Sequence, residues 1–298
     1  MNRNTWEISF MRIIAIAFAF IFMTPALAAT PVPGGKWSYV FVDKKGNPDR
    51  PIRVYTYRPR KCDSTCPIWF VMHGLHRNAS NLRDTWADLA DNYNFLVIAP
   101  EFSQKDYPKA AWYNLGGVAE NENPEKWTYA AIDHLFEEMR DGQADYRIFG
   151  HSAGGQFVHR MLLLRPQSKA SLYVAGNPGW YLLPEWRKEK GVEQVFPFSL
   201  IGSKVGEAQA KEAFSKKLLL YVGENDTDPD DEALNKSDGA MKQGANRVER
   251  GENFFKVATR VANETGTKLN WELSEVPDVA HEAKAMSKAV ATQLYGKK

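Results

Sequence analysis

The chain has 298 residues, 44% hydrophobic and 25% charged, the balance of an ordinary folded protein with a sizeable core. Its 38 basic and 36 acidic residues leave a net charge of +2, with no basic run. That excludes the electrostatic footprint of a nucleic-acid binder and gives no support for binding along an anionic membrane.

The N-terminus departs from this balance. Ile13 to Met23 is unbroken apolar sequence, preceded by Arg12 and followed by Pro25 and Ala26-Leu27-Ala28. A basic flank, a short apolar stretch and an A-x-A site predict a signal peptide over residues 1–28. The run falls short of the roughly 20 residues that span a bilayer. The mature chain, 29–298, is therefore expected in the periplasm or outside the cell, without stable membrane insertion.

Trp37–Val42 and Ile52–Tyr57 then read as strands around the turn Lys45-Gly46-Asn47-Pro48, and predict an antiparallel edge. Cys62 and Cys66 are the two cysteines of the chain. In an oxidising compartment they read as a local disulfide, and two ligands make a poor metal site. Ile68–Met72 is continuously apolar, as a strand covered on both faces should be. Further strands follow at Phe95–Ala99, Tyr146–Phe149, Leu172–Ala175, Leu218–Val222 and Leu269–Val276. Helical spacing appears at Ile132, Leu135, Phe136 and Met139, at Phe254, Val257, Ala258 and Val261, and across Glu282–Leu294. Apolar strands alternating with amphipathic helices imply an α/β fold: a mainly parallel central sheet with helices on both faces, in one domain. Two long stretches, about 101–126 and 180–217, follow strands and so lie on the side where open α/β sheets bind ligands. Their aromatic residues Trp112, Tyr113, Trp180 and Tyr181 are candidates to grip substrate.

Gly150-His-Ser152-Ala-Gly154-Gly155 sits between a predicted strand and a predicted helix. In that context Gly-x-Ser-x-Gly describes a nucleophile elbow presenting Ser152. A serine needs a base, and of the six histidines only His159 and His281 follow it. His159 lies two helical turns further along the same helix, which leaves His281, in the loop before the last helix. The acid belongs after Leu218–Val222, where Asp226 is nearest the strand end and Asp228 and Glu224 compete. The run Asp226-x-Asp228-x-Asp230 is no EF-hand, since Asp231 and Ser237 stand where Gly and Glu are required. Oxyanion donors are expected from the amides of Ala153, after the nucleophile, and Leu75, in the His73-Gly-Leu-His76 loop.

Met72-His-Gly-Leu75, Gly150-His-Ser-Ala-Gly-Gly155, Gly223-Glu-Asn-Asp226 and the late His281 together resemble the secreted α/β-hydrolase-fold serine esterases. Within them the chain is most similar to the polyhydroxybutyrate-depolymerase and feruloyl-esterase-like branch. That branch often carries Cys where this chain has Leu75, and Gly before the histidine where this chain has Asp278 and Ala280. The resemblance implies hydrolysis of a small or polymeric carboxylic ester through an acyl-enzyme, with no cofactor or metal. A peptidase on the same fold and a non-catalytic binding scaffold are the competing readings.

Overall fold

The computed structural model describes residues 32–296 apart from 190 and 192, so the expected leader lies outside the described residues. Eight strands run β1 Gly35–Phe41, β2 Ile52–Arg58, β3 Ile68–Met72, β4 Leu96–Glu101, β5 Tyr146–His151, β6 Ala170–Gly176, β7 Leu218–Gly223 and β8 Trp271–Val276. They form one sheet in the order β1-β2-β4-β3-β5-β6-β7-β8. β1 and β2 pair antiparallel, as does β2 with β4, and every later pairing is parallel. The helices are α1 Ala79–Tyr93, α2 Lys109–Trp112, α3 Ala130–Met139, α4 Ala153–Leu164, α5 Glu207–Ser215, α6 Asp238–Met241, α7 Arg247–Glu264 and α8 Ala283–Tyr295.

Alternation along the strands divides the core into two layers. Trp69, Val71, Val97 and Phe149 face α1 and α8, while Phe70, Met72, Ile98 and Ile148 face α3, α4 and α7. The central strands are apolar on every residue because both of their faces are covered. Helix α1, unassigned in the sequence reading, places Leu82, Trp86 and Ala90 on one buried stripe. Trp86 is fully buried, and its indole N–H donates to Ser287 Oγ of α8 at 3.0 Å, tying the two helices of that layer. Truncating it to alanine should cost about 3–5 kcal/mol, the usual penalty for removing a core aromatic.

The two long stretches are partly ordered by short elements, α2 and a 3₁₀ turn at Pro124–Lys126 in the first, and α5 in the second. Buried Arg77 caps the first by donating to the carbonyls of Phe102, Tyr107 and Lys109. Cys62 and Cys66 are disulfide-bonded, with Cα atoms 5.4 Å apart, inside the ordinary range for such a bridge. Among the described residues no helix is long and apolar enough to cross a membrane.

Candidate active site

β5 ends in a sharp turn at Ser152, whose φ of 58° and ψ of −119° lie outside the regions open to most residues. Such a conformation costs on the order of 1–3 kcal/mol and persists only where the surroundings dictate it. Here they do. A Cβ on Gly150 would stand 2.2 Å from the Gly154 carbonyl, and one on Gly154 would stand 2.1 Å from Met72 O. The glycines therefore let the end of β3, the turn and the start of α4 press together. Ser152 N–H donates to Gly176 O at 2.9 Å, and Ser152 O accepts from Gln156 N at 2.9 Å, locking the turn to β6 and to α4.

The acid and base are held with comparable tightness. Asp226 is 4% exposed, and its Oδ2 is 2.7 Å from His281 Nδ1. A carboxylate against Nδ1 keeps the proton there, leaving Nε2 as the acceptor. Asp228 is exposed, and its Oδ1 is occupied by the Asp230 amide at 2.8 Å. Asp226 is thus the acid that reaches the imidazole. The loop carrying His281 crosses the end of β7: Val279 O accepts from Asn225 N at 2.9 Å, and Ala280 O accepts from Asn177 Nδ2 at 3.0 Å. Asn177 Oδ1 also accepts from Gly223 N at 2.7 Å, so one amide side chain clips β6, β7 and the histidine loop together.

Ser152 and His281 open onto one cleft of about 370 Å³, bounded by Gly74, Leu75, Asn81 and Ala233 among others. No hydrogen bond joins Ser152 Oγ to His281, a contact that in such sites often tightens only with substrate. The amides of Leu75 and Ala153 donate to no backbone acceptor, and Ala153 begins α4, where helical amides face outward. Leu75 itself is 43% exposed in the cleft, one of few large apolar side chains left open.

The other histidines divide by environment. His73 is buried, its Nε2 accepts from the Phe102 amide at 3.1 Å, and desolvation lowers its pKa to about 3. As a neutral ring it braces the loop after β3. His159 accepts from the Leu182 amide at 3.0 Å, and burial pushes its pKa far below the usual histidine range. His151 lies tilted against His281 with ring centroids 4.6 Å apart; burial, then the nearby His281 and Arg247, hold it neutral.

None of the four loop aromatics expected to grip substrate is among the residues that bound this cleft. Tyr113 is fully buried, donating from its hydroxyl to His73 O at 2.6 Å. Tyr181 stacks on Phe254 at 4.6 Å, Trp180 lies under the Arg160 guanidinium at 4.1 Å, and Trp112 lies under that of Arg50 at 3.6 Å. They pack the long loops onto the body. The sequence reading did not identify Arg247, which donates from Nη1 to Asp226 Oδ1 at 3.0 Å, nor the clip made by Asn177. The start of an amphipathic helix carries no local signal for the first. An asparagine after a strand, at a position with φ of 43°, is at most a weak one for the second.

No protein-family model matches the chain, and no curated protein sequence matches it. Solved structures do. Poly(aspartic acid) hydrolase-1 from Sphingomonas sp. KT-1 is 34% identical, superposing with a TM-score of 0.81 over 89% of this chain and 100% of that one. The poly(3-hydroxybutyrate) depolymerase from Bordetella parapertussis is 30% identical, with a TM-score of 0.81 over 88% and 91% of the two chains. An S-formylglutathione hydrolase from Agrobacterium tumefaciens, 17% identical with a TM-score of 0.54 over 87% and 92%, shares the fold.

Proposed function

Because this chain belongs to the polyhydroxybutyrate-depolymerase-like branch of the α/β-hydrolase-fold esterases, we propose that it is an exported serine hydrolase cleaving carboxylic esters through an acyl-enzyme. Ser152 Oγ attacks the ester carbonyl as His281 Nε2 takes its proton. Asp226 stays ionised, holding the imidazole by its 2.7 Å bond and stabilising the imidazolium. The amides of Leu75 and Ala153 receive the oxyanion, a contribution worth about 3–4 kcal/mol per donor where one has been removed from such sites. His281 then protonates the departing alkoxide, and water repeats the cycle to free the serine. None of these steps calls for a metal or cofactor.

The observation that carries this reading is the Asp226–His281 hydrogen bond opening onto the same cleft as a serine held in an elbow. Export rests on the leader-like residues 1–28 and agrees with the Cys62–Cys66 disulfide. One relative favours an amide reading, since its named polymer, poly(aspartic acid), is amide-linked. Against that polymer, no described residue lining the cleft is a lysine or arginine to meet side-chain carboxylates. Parallel assays on p-nitrophenyl esters, polyesters and amide polymers decide between the two. A fluorophosphonate probe should label Ser152, and Ser152→Ala should lose label and turnover with an unchanged circular dichroism spectrum. Wild-type turnover in that variant overturns the assignment, and an unlabelled wild type returns the protein to a binding role.

A further inference from the structure

The Asp226 carboxylate is gripped from both sides. Its Oδ2 faces His281, and its Oδ1 accepts from Arg247, the first residue of α7. Arg247 is 2% exposed, and the same Nη1 also donates to Asp231 Oδ2 at 2.7 Å. A buried guanidinium is costly unless paired, and removing one partner from such a group is strongly destabilising. A plain brace for Asp226 would need one arginine and nothing more. An arginine alone, however, would draw off the negative charge that an imidazolium on His281 needs. Asp231 supplies the compensation. With it, the three side chains carry a net charge of −1, so Asp226 can be fixed in place without being electrically cancelled.

We propose that Arg247 and Asp231 form a charge-neutral clamp that positions Asp226 while leaving its charge available to His281. The clamp presupposes the Ser152–His281–Asp226 triad and adds two positioning residues to it. Asp231 is held below the ordinary carboxylate range by its hydrogen bond from Arg247, with a further contribution from the proximity of His281. The ring of His151, from β5, lies tilted against the imidazole at 4.6 Å, and the neighbouring acids Asp278 and Glu282 of the same loop are exposed. His151 stays neutral and the two exposed acids are screened by water, so buried Arg247 and the partly buried Asp231 paired with it are the charges beyond Asp226 that bear most on the ring.

The clamp has a signature that a purely structural role lacks. The acid limb of kcat/KM reports protonation of the free enzyme's base. Asp231→Asn removes negative charge, so the limb should move to lower pH. Arg247→Met removes positive charge, so the limb should move to higher pH. Each shift should be about 0.5–1 unit, less than the 1–3 units of a charge in direct contact, because both act across Asp226. Arg247→Met should also lower kcat at its optimum by at least about tenfold, since Asp226 loses its second anchor. In the double variant the limb should return near its wild-type position while kcat stays low. Limbs that do not move, or move the same way in both single variants, overturn the clamp. Asp231 is partly exposed and its variant should fold; if Arg247→Met does not, an unmoved limb in Asp231→Asn overturns it alone. Fluorophosphonate labelling of wild-type Ser152 separates the failures: label with unmoved limbs removes the clamp, whereas no label removes the triad beneath it.

Discussion

Replacing Asp226 with asparagine tests the acid more sharply than removing it, because the side chain keeps its shape and loses one acceptor. Wild-type Asp226 accepts at both oxygens, 2.7 Å from His281 Nδ1 and 3.0 Å from Arg247 Nη1. An asparagine has one oxygen and one NH₂ for these two places. The buried guanidinium can only donate, so it captures the oxygen and turns the NH₂ toward His281. That favours the tautomer with the proton on Nε2, which cannot accept from Ser152. The comparable exchange in serine proteases lowers turnover roughly 10⁴-fold, about 5.5 kcal/mol of transition-state stabilisation. The measurement is kcat on a p-nitrophenyl ester across pH, with Asp228→Asn as control. Exposed Asp228 touches only its own turn, so its variant should stay within a few-fold of wild type. A crippled Asp228→Asn beside a nearly normal Asp226→Asn would refute the placement of the acid.

Gly223→Ala should both destabilise and slow the protein, since the added Cβ would stand 2.3 Å from Val279 O in the histidine loop. Overpacking of that kind costs about 1–3 kcal/mol, read by urea denaturation, and a normal stability and kcat would show that the loop is not pinned there. His134 lies 2.8 Å from Asp43 and 3.0 Å from Glu125; burial opposes its charge, but the two carboxylates outweigh it and raise its pKa above 6.5. Its stabilising contribution is complete below 6.5 and lost as pH rises through the raised value, so the Tm gap between wild type and His134→Gln should narrow from pH 6 to pH 9. A gap that widens with pH refutes the pairing. Leu75→Ala should change KM with little effect on Tm, whereas Trp180→Ala should cost about 3–5 kcal/mol of stability. The reverse pattern would return the loop aromatics to the substrate.

The elements most readable from sequence are those whose cause is local. Gly150 and Gly154 announce the elbow because backbone crowding admits nothing larger, and that crowding is the same wherever a strand turns so sharply into a helix. His281 follows by elimination, and the continuous apolar runs of β3 and β7 reveal strands covered on both faces. What depends on approach between distant segments is not written locally. Arg247 is 21 residues from Asp226 and looks like any cation at the start of a surface helix. Trp112, Tyr113, Trp180 and Tyr181 follow strands β4 and β6, yet sequence cannot tell a ring facing a cleft from one packing a loop. Helix α1 is missed for a related reason: its stripe of Leu82, Trp86 and Ala90 is broken by buried Arg83, which donates to Thr56 O.

The proposed chemistry and the selection of substrate draw on different parts of the molecule. Ser152, Asp226 and His281 stand at the ends of β5, β7 and β8, held by contacts that are mostly backbone to backbone or made by Asn177 and Arg247. Those contacts reach the strained serine through β6, so no substitution on the cleft wall need disturb them. Much of the wall comes from the β3 loop and α1, where Leu75, Asn78, Asn81 and Thr85 make no hydrogen bond to the triad. Side chains there can change size and polarity at little cost in stability, since surface substitutions usually stay within about 0.5 kcal/mol. Two neighbours of equal TM-score, 0.81, are named for two different polymers. Selectivity in this chain should therefore be sought by substitution along α1 and at Leu75.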